Sequence, residues 1–320
     1  MLSRPVRDGV ASAPAVGGAQ VACSVIVPTY RRPERLAATL QALAAQDLPR
    51  DAYEVLVVDD GGGVPLEAVL QACRGALNLT LLTEKHAGPA AARNAGIAAA
   101  HGTLLAFTDD DCLPDPGWLR ALIDAHGRRP GAFLGGRTHN ALPHNPYAAA
   151  SHMLIEAVYA WYNVDPEHPR FFASNNFAAP TDQLCALGGF DADHFPFASE
   201  DRDLCARWLA SGPEMAYVPQ AIVRHAHSLT LRGFWRQHLA YGRGAWRFRA
   251  ARARYQSAPS AAPSAPFFVH LLRYPWQHAR GAAAVRNAAL LALSQLASGL
   301  GLALEAVRSL AFTRPTAPRA

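Results

Sequence analysis

Three consecutive aspartates, Asp109, Asp110 and Asp111, follow a predicted strand in this chain of 320 residues. Carboxylates packed this closely repel one another and raise one another's pKa, so the cluster costs stability unless a cation neutralises it. Carboxylate oxygens are ligands that suit a hard cation such as Mg²⁺ or Mn²⁺. The cluster therefore predicts a metal site, in preference to an acidic turn, with coordination positions left for phosphate oxygens.

Polar residues also follow the other predicted strands. Thr29 and Tyr30 come after the first strand, Asp60 after the second, and Arg93 near the start of the third helix. Ligands of an open parallel sheet bind beyond the carboxyl ends of its strands, which favours a binding role for all four. Taken alone, Asp60 is equally typical of a turn, and Arg93 of a solvated helix residue.

A second acidic group, Glu200, Asp201 and Asp203, opens a predicted helix behind Ser199. In one interpretation Ser199 is the N-cap, and the carboxylates interact favourably with the positive end of the helix. In the other interpretation one carboxylate points into the binding cleft and acts as a general base.

Short apolar runs alternate with helical patterns from Val21 to Gly136. Predicted strands are Val25–Val27, Val55–Val58, Leu79–Leu82 and Leu104–Phe107, and predicted helices are Pro33–Gln46, Leu66–Cys73, Pro89–Ala100 and Trp118–His126. This order predicts an α/β fold with a parallel sheet and helices on both faces. The chain has no GxGxxG after the first strand, no GxxxxGK[ST] and no GxSxG, which argues against a nicotinamide site, a P-loop and a hydrolase elbow.

The motifs together resemble the family 2 glycosyltransferases of GT-A fold, over about residues 20–250. The matching segments are SVIVPTY at 24–30, VVDDG at 57–61, AGPAAARNAG at 87–96, FTDDD at 107–111, GGFD at 188–191 and SEDRDL at 199–204. The resemblance implies a Rossmann-like, mostly parallel sheet with flanking helices, to which this chain adds a helical basic C-terminal extension.

The resemblance also implies roles for individual residues. Those expected to bind a nucleotide sugar are Pro28, Thr29, Tyr30, Asp60, Arg93 and Asp110. Those expected to bind Mg²⁺ or Mn²⁺ are Asp109 and Asp111, with His225 or His227 as a further ligand. Asp201 is expected to be the catalytic base, and because a base must be ionised, we expect that burial does not raise its pKa. The residues expected on the acceptor side are Glu200, together with Asn175 and Asn176, which lie near the end of a predicted strand. Tyr147, Trp161 and Tyr162 either stack on sugar rings or pack in a lid or core.

The implied reaction is an inverting transfer from a nucleoside-diphosphate sugar to a hydroxyl of a glycan or lipid-linked acceptor, in the synthesis of cell-surface glycans or glycoconjugates. The chain lacks the Gln-x-x-Arg-Trp motif of processive members, which predicts a nonprocessive enzyme. The alternative is a non-catalytic, membrane-associated scaffold of a glycan assembly system.

The predicted layout has five parts. Residues 1–20 form a flexible tail, residues 21–136 form a nucleotide-sugar-binding half, and residues 137–255 form an acceptor-side half. The acceptor-side half contains a partly helical insert at 137–170 and a strand at Phe171–Ala179. A linker at 256–266 then leads to a helical segment at 267–320. Asn287–Leu304 has no charged residue in 18 positions, which is near the lower length for a transmembrane helix. It also contains Ser294, Gln295, Ser298, Gly299 and Gly301, so we favour a helix packed on the protein or lying at a membrane interface over a true span.

The net charge of +5 divides unevenly along the chain. Through Asp203 there are 15 basic and 23 acidic residues, whereas from Leu204 onward there are 15 arginines and two glutamates. A nucleic-acid partner would not explain the aspartate cluster, so we predict none, and we expect the basic part to face an anionic membrane surface or a lipid-linked acceptor.

Five cysteines without CxxC spacing predict reduced core thiols, and the N-terminus lacks the apolar run of a signal peptide. These features predict a cytoplasmic protein, peripheral at the inner face of the membrane.

Overall fold

The computed structural model describes residues 21–252 and 265–312. Its strands are β1 Cys23–Thr29, β2 Tyr53–Asp59, β3 Leu79–Thr83, β4 Leu104–Phe107, β5 Cys112–Pro114, β6 Phe133–Asn140, β7 Phe177–Pro180 and β8 Met215–His225. Its α-helices are α1 Pro33–Ala44, α2 Glu67–Cys73, α3 Pro89–Ala99, α4 Trp118–Arg128, α5 Pro146–Tyr162, α6 Thr181–Ala186, α7 Glu200–Ala210, α8 Leu231–Arg252, α9 Ala265–His278 and α10 Gly281–Phe312.

The strands form one sheet in the order β3-β2-β1-β4-β7-β6-β8-β5. The first four of these lie parallel, with Val25 of β1 opposite Val55 of β2 and Ala106 of β4. β7 is antiparallel to both of its neighbours, β8 runs parallel to β6, and β5 closes the edge antiparallel to β8. The predicted α/β fold with a mostly parallel sheet is confirmed. The carboxyl ends of β1, β2 and β4 meet at one edge.

The two faces of the sheet are both buried, which explains the continuous apolar runs. In β1, Val25 and Val27 pack into a core with Leu40 of α1, whereas Ile26 between them packs into a second core with Ala92 of α3. A strand covered on both faces needs apolar residues at every position, not at alternate positions.

Two details of the second half differ from the prediction. The strand expected over Phe171–Ala179 is confined to Phe177–Pro180, and the six residues before it are irregular. The segment 137–170 is not wholly an insert, because Arg137–Asn140 continue β6 before α5 begins. The predicted tail at 1–20 and most of the linker at 256–266 lie outside the described residues.

Four of the five cysteines are buried thiols, as predicted, but Cys185 is exposed on α6, so the prediction of a core thiol is wrong there. All five are free.

The last helix, α10, packs against α8 through close backbone contacts. A Cβ on Gly242 of α8 would collide with the carbonyl of Ser298 in α10, and a Cβ on Gly301 would collide with the carbonyl of Leu239. Arg247 forms an ion pair with Glu305, which is buried, at 2.7 Å. Within the described residues, Gly281–Leu310 is long and apolar enough to cross a membrane by length and composition alone.

Candidate active site

A cavity of about 670 Å³ opens at the carboxyl ends of β1, β2 and β4. Eleven of the twelve residues predicted to bind substrates or the metal or to act as the base contribute to its wall, and so do both candidate histidines. The residues are Pro28, Thr29, Tyr30, Asp60, Arg93, Asp109, Asp110, Asp111, Asn175, Glu200, Asp201, His225 and His227. The missing one is Asn176. The fold thus brings residues separated by up to about 200 positions to one place.

Asp111 lies between two histidines. Its Oδ1 is 3.1 Å from Nε2 of His225, and its Oδ2 is 3.0 Å from Nδ1 of His227. The three ligand atoms lie within 4.8 Å of one another, so they can approach a single ion together. Burial raises the pKa of the Asp111 carboxyl, but the hydrogen bonds from His225 and His227 outweigh burial and hold that pKa well below its usual range.

The pairing of β5 with β8 creates this cluster. Cys112, directly after Asp111, lies opposite His225 in the antiparallel register, and the Ala226 amide donates to the Asp111 carbonyl at 2.7 Å. His227 follows two residues after β8 ends. Burial lowers the pKa of the His225 imidazole, whereas the neighbouring Asp111 raises it by more.

The other two aspartates of the cluster point to different partners. Asp110 accepts from Thr29 Oγ1 at 2.8 Å and from Arg32 Nη1 at 3.2 Å. Burial raises the pKa of Asp110 although Arg32 opposes this. Asp109 is partly exposed and accepts from Arg93 Nη2 at 2.7 Å. Sequence reasoning missed Arg32 and also Arg35, which donates to Asp111 at 3.2 Å.

Arg93 joins the two acidic motifs. Its guanidinium is 3% exposed and donates to Asp109 through Nη2 and to Glu200 through Nη1, at 3.0 Å, while packing over the Phe190 ring. Arg93 is therefore not a solvated helix residue. It fixes the start of α7 relative to the end of β4.

Replacing Arg93 with alanine should destabilise the protein by about 3–5 kcal/mol, because it leaves Glu200 buried without its cation. Urea unfolding measures this loss. The matched control is Arg120→Ala, which removes an exposed ion pair with Asp47 and should cost less than about 1 kcal/mol. Equal effects of the two substitutions would contradict a structural role for the buried pair.

Asp60 organises the loop before α3. Its carboxylate accepts from the amides of Ala87 and Gly88, at 2.8 and 3.0 Å, and lies 2.8 Å from His86 Nδ1. His86 in turn stacks on Tyr30, with ring centroids 4.3 Å apart. Gly88 is required here because its φ is +95° and a Cβ would collide with the Pro196 carbonyl.

Asp201 lies in the first turn of α7, beside Glu200. Ser199 occupies the N-cap position with φ +71°, yet its side chain makes no capping hydrogen bond, so the capping interpretation of Ser199 is wrong. Burial, and then the charge of Glu200, raises the pKa of Asp201 to about 7. The expectation that burial would not raise this pKa is therefore also wrong.

Asn175 and Asn176 face different surroundings. Asn175 lines the cavity, and its buried Oδ1 has no hydrogen-bond partner within the described part of the chain. Asn176 is fully buried: its amide accepts from Trp118 Nε1 at 2.8 Å and donates to the carbonyls of Arg137 and Ala221. Asn176 therefore joins β6 to β8 and does not line the cavity.

The three aromatic residues that could stack on sugar rings also lie in different surroundings. Tyr162 lines the cavity. Trp161 packs against Phe267, with ring centroids 5.6 Å apart, and Tyr147 packs against Phe234 at 6.0 Å. Trp161 and Tyr147 are therefore packing residues.

The sequence model of glycosyl transferase family 2 matches residues 24–197, more than half of the chain. The chain belongs to this family. The family 2 match contains the aspartate cluster and Arg93, whereas Asp201 and both histidines lie after it.

Curated relatives agree with the family assignment. A validoxylamine A glucosyltransferase of Streptomyces hygroscopicus subsp. limoneus is 28% identical over 252 residues, which are 69% of this chain and 54% of the relative. A pre-mycofactocin glycosyltransferase of Mycobacterium tuberculosis is 32% identical over 196 residues, 59% of this chain and 40% of the relative. The chain spans about half the length of these relatives.

Solved structures agree on the fold. A mannosyltransferase of Pyrobaculum calidifontis, in complex with GDP-mannose and Mn²⁺, has a TM-score of 0.59 and 23% identity, covering 92% of this chain and 81% of that one. Residues 1–349 of TarS from Staphylococcus aureus have a TM-score of 0.52 and 16% identity, covering 91% and 92%. The family 2 chain therefore has a GT-A fold.

Proposed function

We propose that this chain is a metal-dependent, inverting, nonprocessive glycosyltransferase that moves a sugar from a nucleoside diphosphate to an acceptor hydroxyl. The observation that carries this proposal is the convergence of the Asp111, His225 and His227 cluster and the Asp201 carboxylate on one cavity. A transferase needs both, since one group must bind the diphosphate and another must accept the proton of the attacking hydroxyl.

The donor nucleotide would bind at the ends of β1 and β2. The Tyr30 and His86 rings supply a stacked, flat surface beside Pro28 and Thr29, and Asp60 holds that loop in place. A nucleobase has a flat face that suits stacking on such a surface. Asp110 accepts hydrogen bonds from Thr29 and Arg32, so it would hold this wall of the site in position.

The candidate metal ligands fit a divalent cation. One buried carboxylate and two imidazoles place their ligand atoms within 4.8 Å of one another, and we assign Asp111, His225 and His227 as ligands in preference to Asp109, which is held by Arg93. Imidazole nitrogen among the ligands favours Mn²⁺ over Mg²⁺, which prefers oxygen. When bound, the ion neutralises charge on the diphosphate.

Asp201 would accept the acceptor's proton as the hydroxyl attacks the anomeric carbon from the side opposite the diphosphate. Attack from that side inverts the carbon. Arg93 positions α7 through Glu200, so that Asp201 stays beside the cavity. Asn175 would bind an acceptor hydroxyl, because it lines the cavity and its buried Oδ1 has no hydrogen-bond partner among the described residues.

The rate of transfer should rise with pH through about 7. Asp201 has a pKa raised to about 7, so it is mostly protonated below that pH and cannot accept a proton. Because the charge of Glu200 contributes to this shift, Glu200→Gln should move the rising limb of the kcat/KM profile to lower pH. A limb that stays in place in Glu200→Gln would mean that another group controls the profile.

We further propose that the chain acts at the cytoplasmic face of a membrane on a glycan or lipid-linked acceptor, in cell-surface glycan or glycoconjugate synthesis. The support is the basic and apolar surface of α8, α9 and α10. The rival proposal, a non-catalytic scaffold, does not explain why the metal ligands and the base share one cavity.

A panel of nucleotide sugars, with GDP-mannose included, tests the proposed function. The melting temperature is measured with each donor, with Mn²⁺, with Mg²⁺ and with chelator. The correct donor should raise the melting temperature only when the ion is present, because a ligand that binds the folded state stabilises it. No shift with any donor, together with no release of nucleoside diphosphate, would favour the scaffold.

A further inference from the structure

Part of the cavity wall has no counterpart in the chemistry of sugar transfer. Six apolar side chains of α5, α9 and α10, which we call the apolar wall, line the same cavity as the catalytic groups: Leu154, Ile155, Val158, Phe267, Phe268 and Leu302. Leu154 and Phe267 belong to a hydrophobic cluster that is separate from the two cores of the sheet. The apolar wall is thus built by helices that cover the cleft.

A sugar acceptor alone would not use this surface. A sugar ring has C–H faces that can stack on an aromatic ring, but hydroxyl groups surround each face, and burying them against aliphatic side chains without hydrogen bonds is costly. Ile155, Val158 and Leu302 remain partly exposed within the cavity. A ligand with an apolar segment would remove this surface from water, which is favourable in proportion to the area covered.

Two arginines line the cavity beside this wall. Arg202 directly follows Asp201, its Nη2 donates to the Tyr162 hydroxyl at 3.2 Å, and its guanidinium lies 5.0 Å from the centre of the Phe248 ring. Arg249, one turn further along α8 from Ala245, also lines the cavity. Arginine is well suited to bind phosphate through several parallel hydrogen bonds.

We propose that the apolar wall binds the hydrocarbon chain of an amphiphilic acceptor, and that Arg202 and Arg249 bind a phosphate that joins this chain to the acceptor's sugar. The inference rests on the proposed function, because it names the acceptor class of that same site. The reacting hydroxyl then lies at Asp201, next to the phosphate, and the chain extends along α5, α9 and α10.

The outer faces of the last helices fit this orientation. Phe268 both lines the cavity and is 42% exposed, so the apolar wall reaches the protein surface there. Leu272 and Trp276 follow Phe268 at intervals of four residues, so the three lie on one face of α9, and all are exposed. Other exposed apolar residues of these two helices are Val269, Leu296, Leu300 and Leu304. A hydrocarbon chain that leaves the cavity past Phe268 therefore stays on apolar surface, as it would on entering from a membrane.

The test uses n-butyl, n-hexyl and n-octyl phosphate below their aggregation concentrations, with inorganic phosphate and n-octyl glucoside as comparisons. Binding to the full chain is measured by calorimetry. Each methylene buried on the wall should lower the dissociation constant about fourfold, so octyl phosphate should bind at least tenfold more tightly than butyl phosphate. Arg202→Gln should weaken octyl phosphate and leave octyl glucoside unchanged.

Matched variants test where the hydrocarbon chain of the ligand binds. Ile155→Trp and Leu302→Trp fill the cavity and should raise the dissociation constant of octyl phosphate at least tenfold. Leu300→Trp is the control, since Leu300 lies on the outer face of the same helix and is 45% exposed. An affinity that does not depend on chain length, or that falls equally in Leu300→Trp and Leu302→Trp, overturns the inference.

The same variants separate this inference from the proposed function. The ion-dependent shift of the melting temperature by the nucleotide donor should persist in Ile155→Trp and Leu302→Trp, because neither residue belongs to the donor end. If the donor still shifts the melting temperature but the affinity for alkyl phosphates does not depend on the length of the alkyl chain, only the proposal of an amphiphilic acceptor is overturned. Chain-dependent binding without any donor response or nucleotide release would overturn the proposed transferase.

Discussion

Replacing Asp201 with asparagine should abolish sugar transfer and leave donor binding unchanged. Asparagine has nearly the same shape but cannot accept a proton from the attacking hydroxyl, and a general base contributes about 10²–10⁴-fold to a rate. Because α7 keeps its position through Arg93 and Glu200, the donor end should not move. Steady-state turnover measures the first effect, and ion-dependent donor binding measures the second.

The control for this substitution is Asp193→Asn, an exposed carboxylate in the loop before α7. It should leave both turnover and donor binding within twofold of the starting protein. Turnover of Asp201→Asn above a tenth of the normal rate would remove Asp201 as the base, and Glu200 would then be the nearest carboxylate to test.

Replacing Asp111 with alanine should weaken Mn²⁺ binding by at least about 100-fold, because even the residues that support metal ligands often contribute 10–100-fold. The substitution removes the only carboxylate of the cluster with His225 and His227. Electron paramagnetic resonance of free Mn²⁺ measures binding without any turnover.

Asp115→Ala is the matched control, since Asp115 lies four residues further on and pairs with the exposed Arg224. It should not change Mn²⁺ affinity. If Asp111→Ala binds Mn²⁺ normally while Asp109→Ala does not, the ion is held by Asp109, and the assignment of the two histidines is wrong.

Much of the donor half could be predicted because its signals are local. Each strand is a short apolar run, and the residue that contributes to the site follows it within a few positions, as Asp60 follows β2. The parallel register then brings these residues together without further information. The three adjacent aspartates also identified the cavity correctly.

The partners of those aspartates could not be predicted in the same way. Asp109, Asp110 and Asp111 are neighbours in sequence but turn to Arg93, Arg32 and the histidines. His227 is 116 positions from Asp111, and only the antiparallel pairing of β5 with β8 brings the two together. Asn176 was predicted on the acceptor side because it lies near the end of a predicted strand, but it is buried and accepts a hydrogen bond from Trp118, which is distant in sequence.

The order of the parts of this site along the chain has a consequence for how the site can change. The proposed donor surface, at the ends of β1 and β2, and the helices that form the apolar wall are contributed mostly by different stretches of the chain. Substitutions in α9 and α10 can therefore alter the shape offered to an acceptor without disturbing the nucleotide. Arg93 is the exception, since its two ion pairs couple the stretches, and it should tolerate less variation than any residue of the wall.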